Sequence, residues 1–203
     1  TYKFDPSNNK IDPVVLHDRN YQDQYADSGS FETKLNEFAN YVLAVNDNKG
    51  YMIGDGYTAE GQFPFLNEFN FSNGKTTRLY TSKMEGKKED LRSFDSEKQQ
   101  MLVRIESPSD YPNYYFRELE KNELNQITAF ENPFKSIQDV KKEVSNYKRD
   151  DDLGLTGTLY LPLGYEEGKE YAMILWAYPR EFKDKSSAGQ NTQNPNAFTY
   201  PYY

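Results

Sequence analysis

The strongest constraint on the fold is a pattern of strand-like segments that occurs twice, about 48 residues apart. At this offset Phe63–Pro64 aligns with Tyr111–Pro112, and Ile53 aligns with Met101. The predicted strands are Tyr41–Val45, Tyr51–Gly56, Phe65–Phe71 and Thr76–Tyr80 in the first copy, and Asp90–Phe94, Gln100–Glu106, Tyr114–Leu119 and Asn125–Phe130 in the second. Four strands in about 40–50 residues are typical of a propeller blade, although an ordinary antiparallel meander has the same pattern.

The N-terminal region has a partial form of the same pattern. Tyr2–Leu16 reads as two short strands around a polar turn at Pro6–Asn9, and Asp18–Phe38 is polar enough to be a loop. We therefore expect the tail of an earlier unit, followed by a loop that leads into the first complete unit.

The composition favours strands over helices. The 203 residues include 18 Tyr and 13 Phe, although hydrophobic residues make up only 36% of the chain. Each aromatic side chain buries roughly 150–250 Å², and aromatic and β-branched residues prefer strands. No segment sustains a 3.6-residue period, so we expect little helix.

Charge and residue usage exclude several classes of partner. The net charge is −8, and the basic residues are scattered, whereas nucleic-acid binding needs a clustered basic surface. No apolar run reaches the roughly 18 residues of a membrane span. The chain has no cysteine, which excludes disulfides and thiolate metal sites, and no cofactor motif is present. A bacterial cytoplasm and a bacterial periplasm both suit such a chain.

Three strand signals follow one another near the C terminus. They are Val144–Lys148, Leu155–Leu161 and Tyr171–Tyr178, separated by the turn segments Asp150–Asp152 and Gly164–Gly168. The third signal is a nearly unbroken apolar run that stops at Pro179. Such a run suits a strand that is buried on both faces.

These C-terminal segments resemble the opening strands of the α/β-hydrolase domain in the prolyl oligopeptidase family of serine peptidases. The resemblance rests on YKRDD, LTGTLYLPLGY and LWAYPREFKDKSSAGQ, in that order. Within the family, WAYPREF followed by AGQ and NPNAF is most similar to the glutamyl-endopeptidase-like or dipeptidyl-peptidase-like branch. One position departs from the family pattern, because the turn after KR usually carries Gly where this chain has Asp152.

The resemblance implies a mainly β chain in two parts. Residues 1–134 are expected to be the C-terminal blades of a β-propeller. Residues 135–203 are expected to be the N-terminal strands of an incomplete α/β-hydrolase domain, with Asn132–Val140 as the linker.

The resemblance also implies a catalytic serine that this sequence lacks. The family carries its serine on a Gly-x-Ser-x-Gly elbow, and no such elbow occurs in the 203 residues. We therefore expect an internal fragment of a serine peptidase that cleaves short peptides by acyl transfer and is inactive alone. The alternative is a non-catalytic β-rich module that binds a protein or peptide. A non-peptidase hydrolase fits less well, because a propeller precedes the hydrolase strands.

Two residues after the last predicted strand are candidate site residues. The resemblance implies that the Tyr178 hydroxyl donates to the oxyanion of the tetrahedral intermediate. Arg180 is a candidate for binding a substrate carboxylate, since a guanidinium binds carboxylates through two hydrogen bonds. The structural alternatives are a Tyr178 that packs at the strand end and an Arg180 paired with Glu181 or Asp184 on the surface.

Two other groups are assigned structural roles. His17 lies beside Asp18 but has no serine nearby in the sequence, so a partly exposed structural histidine is predicted. Asp47, Asn48 and Gly50 lack the later Glu that closes an EF-hand, so a hairpin turn is predicted there.

The remaining expectations concern partners. The loops with Glu106, Asp110 and Tyr111, and with Tyr57 and Glu60, correspond to loops that help to bind the substrate in related propellers, with a solvated surface as the alternative. The expected partners are a peptide substrate and the remainder of the peptidase. Tyr171–Tyr178 also has an open edge that favours self-association.

Overall fold

The chain is described by a computed structural model that covers residues 1–8 and 10–198. Within these residues it has sixteen short strands, one helical turn and one 3₁₀ turn. The strands are β1 (Tyr2–Lys3), β2 (Val14–Val15), β3 (Ser30–Phe31), β4 (Thr33–Leu35), β5 (Tyr41–Leu43), β6 (Lys49–Gly54), β7 (Tyr57–Thr58), β8 (Gly61–Gln62), β9 (Phe65–Asn70), β10 (Thr76–Thr81), β11 (Lys88–Asp95), β12 (Gln100–Glu106), β13 (Asn113–Glu118), β14 (Leu124–Gln126), β15 (Lys142–Lys148) and β16 (Gly154–Tyr160). The 3₁₀ turn is Lys135–Ile137 and the helical turn is α1 (Lys185–Ala188).

Two four-stranded antiparallel sheets form the centre of the chain. Their strand orders are β10-β9-β6-β3 and β11-β12-β13-β14. β9 begins at Phe65 and β13 begins at Asn113, so these equivalent strands keep the predicted offset of about 48 residues. The prediction of a mainly β chain with little helix is confirmed.

A buried hydrophobic cluster joins the two sheets. The rings of Tyr51 in β6 and Phe94 in β11 meet edge to face, with their centroids 4.8 Å apart. Along β12, Met101, Val103 and Ile105 are buried, and the residues between them are only partly buried, as expected when alternate side chains point to opposite faces. The cluster comprises Tyr51, Leu66, Leu91, Phe94, Met101, Val103 and Ile105.

The first strand of the first unit differs from the prediction. Tyr41–Val45 was expected beside β6, but β3 (Ser30–Phe31) occupies that place, and β5 (Tyr41–Leu43) pairs with β4 in a separate hairpin. The Phe31 ring packs 5.6 Å from the Phe69 ring and 5.4 Å from the Phe71 ring, whereas Tyr41 is 77% exposed. The packing of the Phe31 ring therefore explains why β3, and not Tyr41–Val45, pairs with β6.

Gly29 permits this unexpected pairing. Its φ is +88°, and a Cβ atom at this position would lie only 2.8 Å from the Ile53 carbonyl oxygen. A side chain at residue 29 would separate β3 from β6, so the close approach of the two strands requires glycine.

Residues 142–160 form the predicted hairpin of β15 and β16. In its turn the Asp152 N–H donates to the Arg149 carbonyl over 2.9 Å, and Asp152 has a φ of +65°. This backbone conformation favours glycine, which gives a physical reason for the glycine that the resemblance leads one to expect here.

The prediction of a buried strand at Tyr171–Tyr178 is wrong for this structure. The segment lies outside every strand, and its apolar side chains are exposed, with Ile174 at 86%. A strand buried on both faces needs a hydrogen-bonded neighbour and a covering layer, and within the described residues no strand pairs with it. No helix in the described part of the chain is long and apolar enough to cross a membrane.

Candidate functional site

Tyr178 and Arg180 lie on the exposed segment between β16 and α1. The Tyr178 side chain is 82% exposed, and Arg180 is exposed as well. Arg180 forms no ion pair with Glu181 or Asp184, both of which lie within the described residues. The roles of Tyr178 and Arg180 at a catalytic site stay predictions, but their side chains are accessible.

The main chain directly after Arg180 is held by the side-chain amide of Gln22. Gln22 Nε2 donates to the Glu181 carbonyl over 2.7 Å. Gln22 Oε1 accepts from the Lys183 N–H over 2.8 Å. One amide therefore fixes the backbone on both sides of Phe182.

Asp184 connects this segment to α1. Its Oδ1 accepts from the Ser187 N–H over 2.8 Å, which caps the helical turn. Asn20 Nδ2 donates to Asp184 Oδ2 over 2.5 Å and to Ser187 Oγ over 3.0 Å. The Ser186 hydroxyl, followed by the Ser187 N–H and hydroxyl, lowers the pKa of Asp184 to about 2, so this carboxylate stays ionised at neutral pH.

Gln190 makes a further set of contacts with the same N-terminal loop. Its Oε1 accepts from the Gln24 N–H over 2.8 Å, and its Nε2 donates to Asp23 Oδ1 over 2.7 Å. The Asn191 N–H donates to the Tyr25 hydroxyl over 2.9 Å. We refer to Asn20–Tyr25 as the 20–25 loop, since it contacts the chain from residue 181 to residue 191.

The contacts of the C-terminal segment differ in part from the prediction. Ala188 ends α1 and residues 189–198 are irregular, as expected for most of Ala188–Tyr203, of which residues 199–203 lie outside the described residues. Their packing partners were expected to lie downstream, but the 20–25 loop supplies partners from within the chain. The sequence indicated only that the 20–25 loop is polar, because an amide that binds distant main chain leaves no local pattern.

A polar cleft of about 380 Å³ lies beside the loop between β12 and β13. It is lined by Lys87, Ile105, Glu106, Ser109, Asp110, Tyr111, Asn113, Tyr115, Phe130 and Asn132. Glu106 is only 2% exposed and is held by ion pairs with Arg104 and with Lys88, the latter over 3.4 Å. Asn132 Nδ2 is buried and forms no hydrogen bond with the described residues. The cleft thus presents the exposed Asp110 carboxylate, which lies 3.5 Å from Lys87 Nζ, as an acidic acceptor for an ammonium group.

The C-terminal segment contacts Tyr111, one of the residues that line this cleft. The Phe198 ring lies 5.1 Å from the Tyr111 ring, and Lys142 Nζ donates to the Ala197 carbonyl. Burial lowers the pKa of Lys142. Phe198, which comes from the predicted hydrolase part, therefore contacts a loop of the preceding sheet.

The equivalent loop of the first sheet contacts the same segment. Asn194 Nδ2 donates to Gln62 Oε1 over 3.0 Å, and Gln62 belongs to the small β7–β8 hairpin that also holds Tyr57. Burial, followed by the nearby carboxylates of Asp55 and Asp90, raises the pKa of Tyr57 to about 12. The two loops identified from the sequence therefore meet the NPNAF segment.

His17 and the Asp47 turn have structural surroundings. The His17 ring lies 5.9 Å from the Phe69 ring, and burial lowers its pKa. Asp47 and Asn48 occupy a tight turn with φ values of 48° and 59°, bounded by the hydrogen-bonded pair Asn46 and Lys49, so the predicted hairpin turn is confirmed. No group of three or more His, Asp or Glu side chains in the described residues is arranged to hold a metal ion.

Comparisons with known proteins relate the chain to peptidases. No family model matches it. The chain is 32% identical over 215 residues to a probable chloroplastic glutamyl endopeptidase of Arabidopsis thaliana, with 98% of this chain and 22% of that protein covered. It is 33% identical over 214 residues to the protein of the same name from Oryza sativa subsp. japonica, with 98% and 23% covered. The chain therefore spans less than a quarter of the length of these relatives.

Two solved structures of the AtxE2 isopeptidase are also similar. A variant with astexin3-dC4 bound has a TM-score of 0.39 at 12% identity, and the apo form has a TM-score of 0.37 at 14% identity. Each match covers 64% of this chain and 21% of the isopeptidase.

Proposed function

We propose that this chain is part of a serine peptidase that cleaves short peptides by acyl transfer. The observation that carries the proposal is the similarity to proteins named glutamyl endopeptidase, which extends over 98% of the chain. The nucleophilic serine and its partner residues lie elsewhere in that peptidase, because the 203 residues have no Gly-x-Ser-x-Gly elbow. The chain alone is inactive.

The two halves of the chain have different roles in this proposal. Residues 1–134 are the last blades of a β-propeller, and residues 135–203 are the first strands of the α/β-hydrolase domain. Two four-stranded antiparallel sheets that follow one another in the sequence support the first assignment. The β15–β16 hairpin, at the position of YKRDD and LTGTLYL, supports the second.

Tyr178 and Arg180 are the residues through which this chain acts on the substrate. The serine oxygen attacks the carbonyl carbon of the scissile bond, and negative charge develops on the carbonyl oxygen. The Tyr178 hydroxyl donates a hydrogen bond to that oxygen; removal of one such donor costs about 10²–10³ in kcat. Arg180 binds a substrate carboxylate. The exposure of both side chains supports these roles, because neither is engaged in the protein core.

The polar cleft contributes to binding of the peptide. The Asp110 carboxylate, which is 61% exposed and lies 3.5 Å from Lys87 Nζ, is placed to attract an ammonium group. The lining residue Tyr111 contacts Phe198 of the hydrolase part, which supports a role for the cleft where the two parts of the chain meet.

The test uses the full-length peptidase and the 203-residue chain side by side. Both are treated with a fluorophosphonate probe and with fluorogenic peptides that have Glu, Gln or Lys before the scissile bond. We expect labelling and cleavage by the full-length protein, fastest after Glu, and neither by the 203-residue chain. A pure full-length protein that neither cleaves nor reacts with the probe contradicts the proposal. Stoichiometric labelling of the 203-residue chain contradicts the assignment of the nucleophile to another part of the protein.

A further inference from the structure

We infer that Gln22 positions the segment carrying Tyr178 and Arg180, so that the 20–25 loop, although distant in sequence, is a positioning element of the peptidase site. The inference rests on the proposed function, because that function gives Tyr178 its role. The Gln22 side-chain amide forms its described hydrogen bonds with main-chain atoms of residues 181 and 183, so it acts through the segment and not on the substrate.

The Gln22 amide has the geometry of a two-point anchor. Its nitrogen donates to the Glu181 carbonyl and its oxygen accepts from the Lys183 N–H, over 2.7 and 2.8 Å. Two bonds from one planar group fix both the position and the orientation of the backbone between them. The neighbouring Asn20 amide binds Asp184 and Ser187, which extends the fixed stretch to the helical turn.

The 20–25 loop has internal contacts that hold its shape. Arg19 donates to the Asp23 carbonyl over 2.8 Å and pairs with Asp27 over 2.6 Å. The Gln22 N–H donates to Asn20 Oδ1 over 3.0 Å. Because these contacts involve only residues 19–27, the loop presents the Gln22 amide in a defined orientation to the segment.

The distance along the chain makes this anchor relevant to Tyr178. Glu181 is three positions after Tyr178, so their Cα atoms lie at most about 10–11 Å apart even in an extended chain. Pro179, between them, restricts its own φ to about −65°. An anchor at Glu181 therefore limits the volume that the Tyr178 hydroxyl samples. Misplacement of a catalytic group by about 1 Å can cost about 10²-fold in rate.

The experiment is a double-mutant cycle in the full-length peptidase. Its variants are Gln22→Ala, Tyr178→Phe, the double variant and Gln24→Ala. Gln24 is the matched control, since it lies in the same loop but contributes only backbone atoms to the described hydrogen bonds, its N–H to Gln190 and its carbonyl to Asp27. The readouts are kcat and KM on a fluorogenic peptide and the rate of fluorophosphonate labelling.

We expect Gln22→Ala to lower kcat about tenfold with KM changed less than about twofold, and Gln24→Ala to change both less than about twofold. In the Tyr178→Phe background, Gln22→Ala should have no further effect on kcat, because the lost function is the same. An unchanged kcat for Gln22→Ala overturns the inference. An equal fold-loss in both backgrounds also overturns it, since Gln22 would then act independently of Tyr178.

A second measurement separates the anchor from the activity. Trypsin cleaves after Arg180 and Lys183, and the anchored segment resists cleavage until it opens. We expect Gln22→Ala to speed cleavage at these two sites about tenfold, with cleavage after Arg149 unchanged. Equal cleavage rates in the variant and the wild type overturn the anchor. A wild-type protein that has no peptidase activity but shows the tryptic difference contradicts the proposed function, and with it the role of Tyr178, while the anchor itself is retained.

Discussion

The guanidinium of Arg117 lies 2.7 Å from the carboxylate of Glu89, and the two side chains are 5% and 0% exposed. The Tyr80 hydroxyl donates to the second oxygen of Glu89 over 2.7 Å, and Asn122 accepts from Arg117 over 2.5 Å. The buried pair thus connects β11 with β13, and each of its two members has a further hydrogen-bond partner. Removal of one partner leaves a buried charge without compensation.

Arg117→Met should therefore destabilise the protein by about 3–5 kcal/mol. Arg149→Met is the control, because Arg149 pairs with Asp151 on the surface over 2.8 Å and solvent-exposed pairs contribute little to stability. Urea unfolding followed by circular dichroism measures both. A loss below 1 kcal/mol for Arg117→Met would show that the sheet tolerates an unpaired Glu89.

Asp152→Gly should stabilise the protein by about 0.5–1 kcal/mol, because Asp152 has a φ of +65° that glycine adopts without cost. The change removes only the exposed contact of Asp152 with Lys148 at 3.4 Å, which contributes little. Asp150→Gly is the matched control in the same turn, where φ is not positive, and should not stabilise. Unfolding midpoints in urea compare the variants, and a stabilising Asp150→Gly with a neutral Asp152→Gly would contradict this reading of the turn.

Glu32 gives the protein a defined pH dependence. Burial raises the pKa of Glu32 above its ordinary value of 4.5, partly offset by the hydrogen bond from the Phe94 N–H. The folded state therefore binds this proton more tightly than the unfolded state does. The contribution of Glu32 to stability is fully present below pH 4.5 and is lost as the pH rises through the raised pKa.

Glu32→Gln should accordingly raise the free energy of unfolding at pH 7 and reduce the loss of stability between pH 4.5 and pH 7, since the amide oxygen still accepts from Phe94. Asp95→Asn should instead lower the free energy of unfolding at pH 7, because the hydrogen bond from the Lys98 side chain lowers the pKa of Asp95 and its ionised form stabilises the fold. Urea unfolding at a series of pH values distinguishes them. The same pH slope for Glu32→Gln and the wild type would contradict a buried, proton-binding Glu32.

The exposed apolar segment Tyr171–Tyr178 should make the isolated 203-residue chain self-associate. Met173, Ile174 and Leu175 are all more than 70% exposed, and an exposed apolar segment readily adds to a strand of another chain. Sedimentation velocity should show assembly that increases with concentration. Ile174→Asp should reduce this assembly, whereas Leu163→Asp, at an exposed apolar residue outside the segment, should not. A monomer at all concentrations would contradict this expectation.

The sequence predicted best those elements whose pattern is local. In β12, the alternation of Met101, Val103 and Ile105 marks the buried face, and β15 and β16 are bounded by a clear turn. β3 was missed because its two residues carry no period and are selected by the packing of Phe31 against Phe69 and Phe71. Gln22 was missed for a related reason. Its partners, Glu181 and Lys183, lie 159 and 161 positions away in the sequence, which is far outside any local pattern. Tyr171–Tyr178 has the composition of a strand, but a strand also needs neighbours.

The anchor made by Gln22 has a consequence for how the segment can vary. Because the Gln22 amide hydrogen-bonds to main-chain atoms of residues 181 and 183, the side chains of Glu181, Phe182 and Lys183 can change without loss of the anchor. Proline at position 183 is the exception, since it has no N–H to donate. Substitutions can therefore alter the charge and shape of the side chains at residues 181–183 while the backbone of the segment keeps its course.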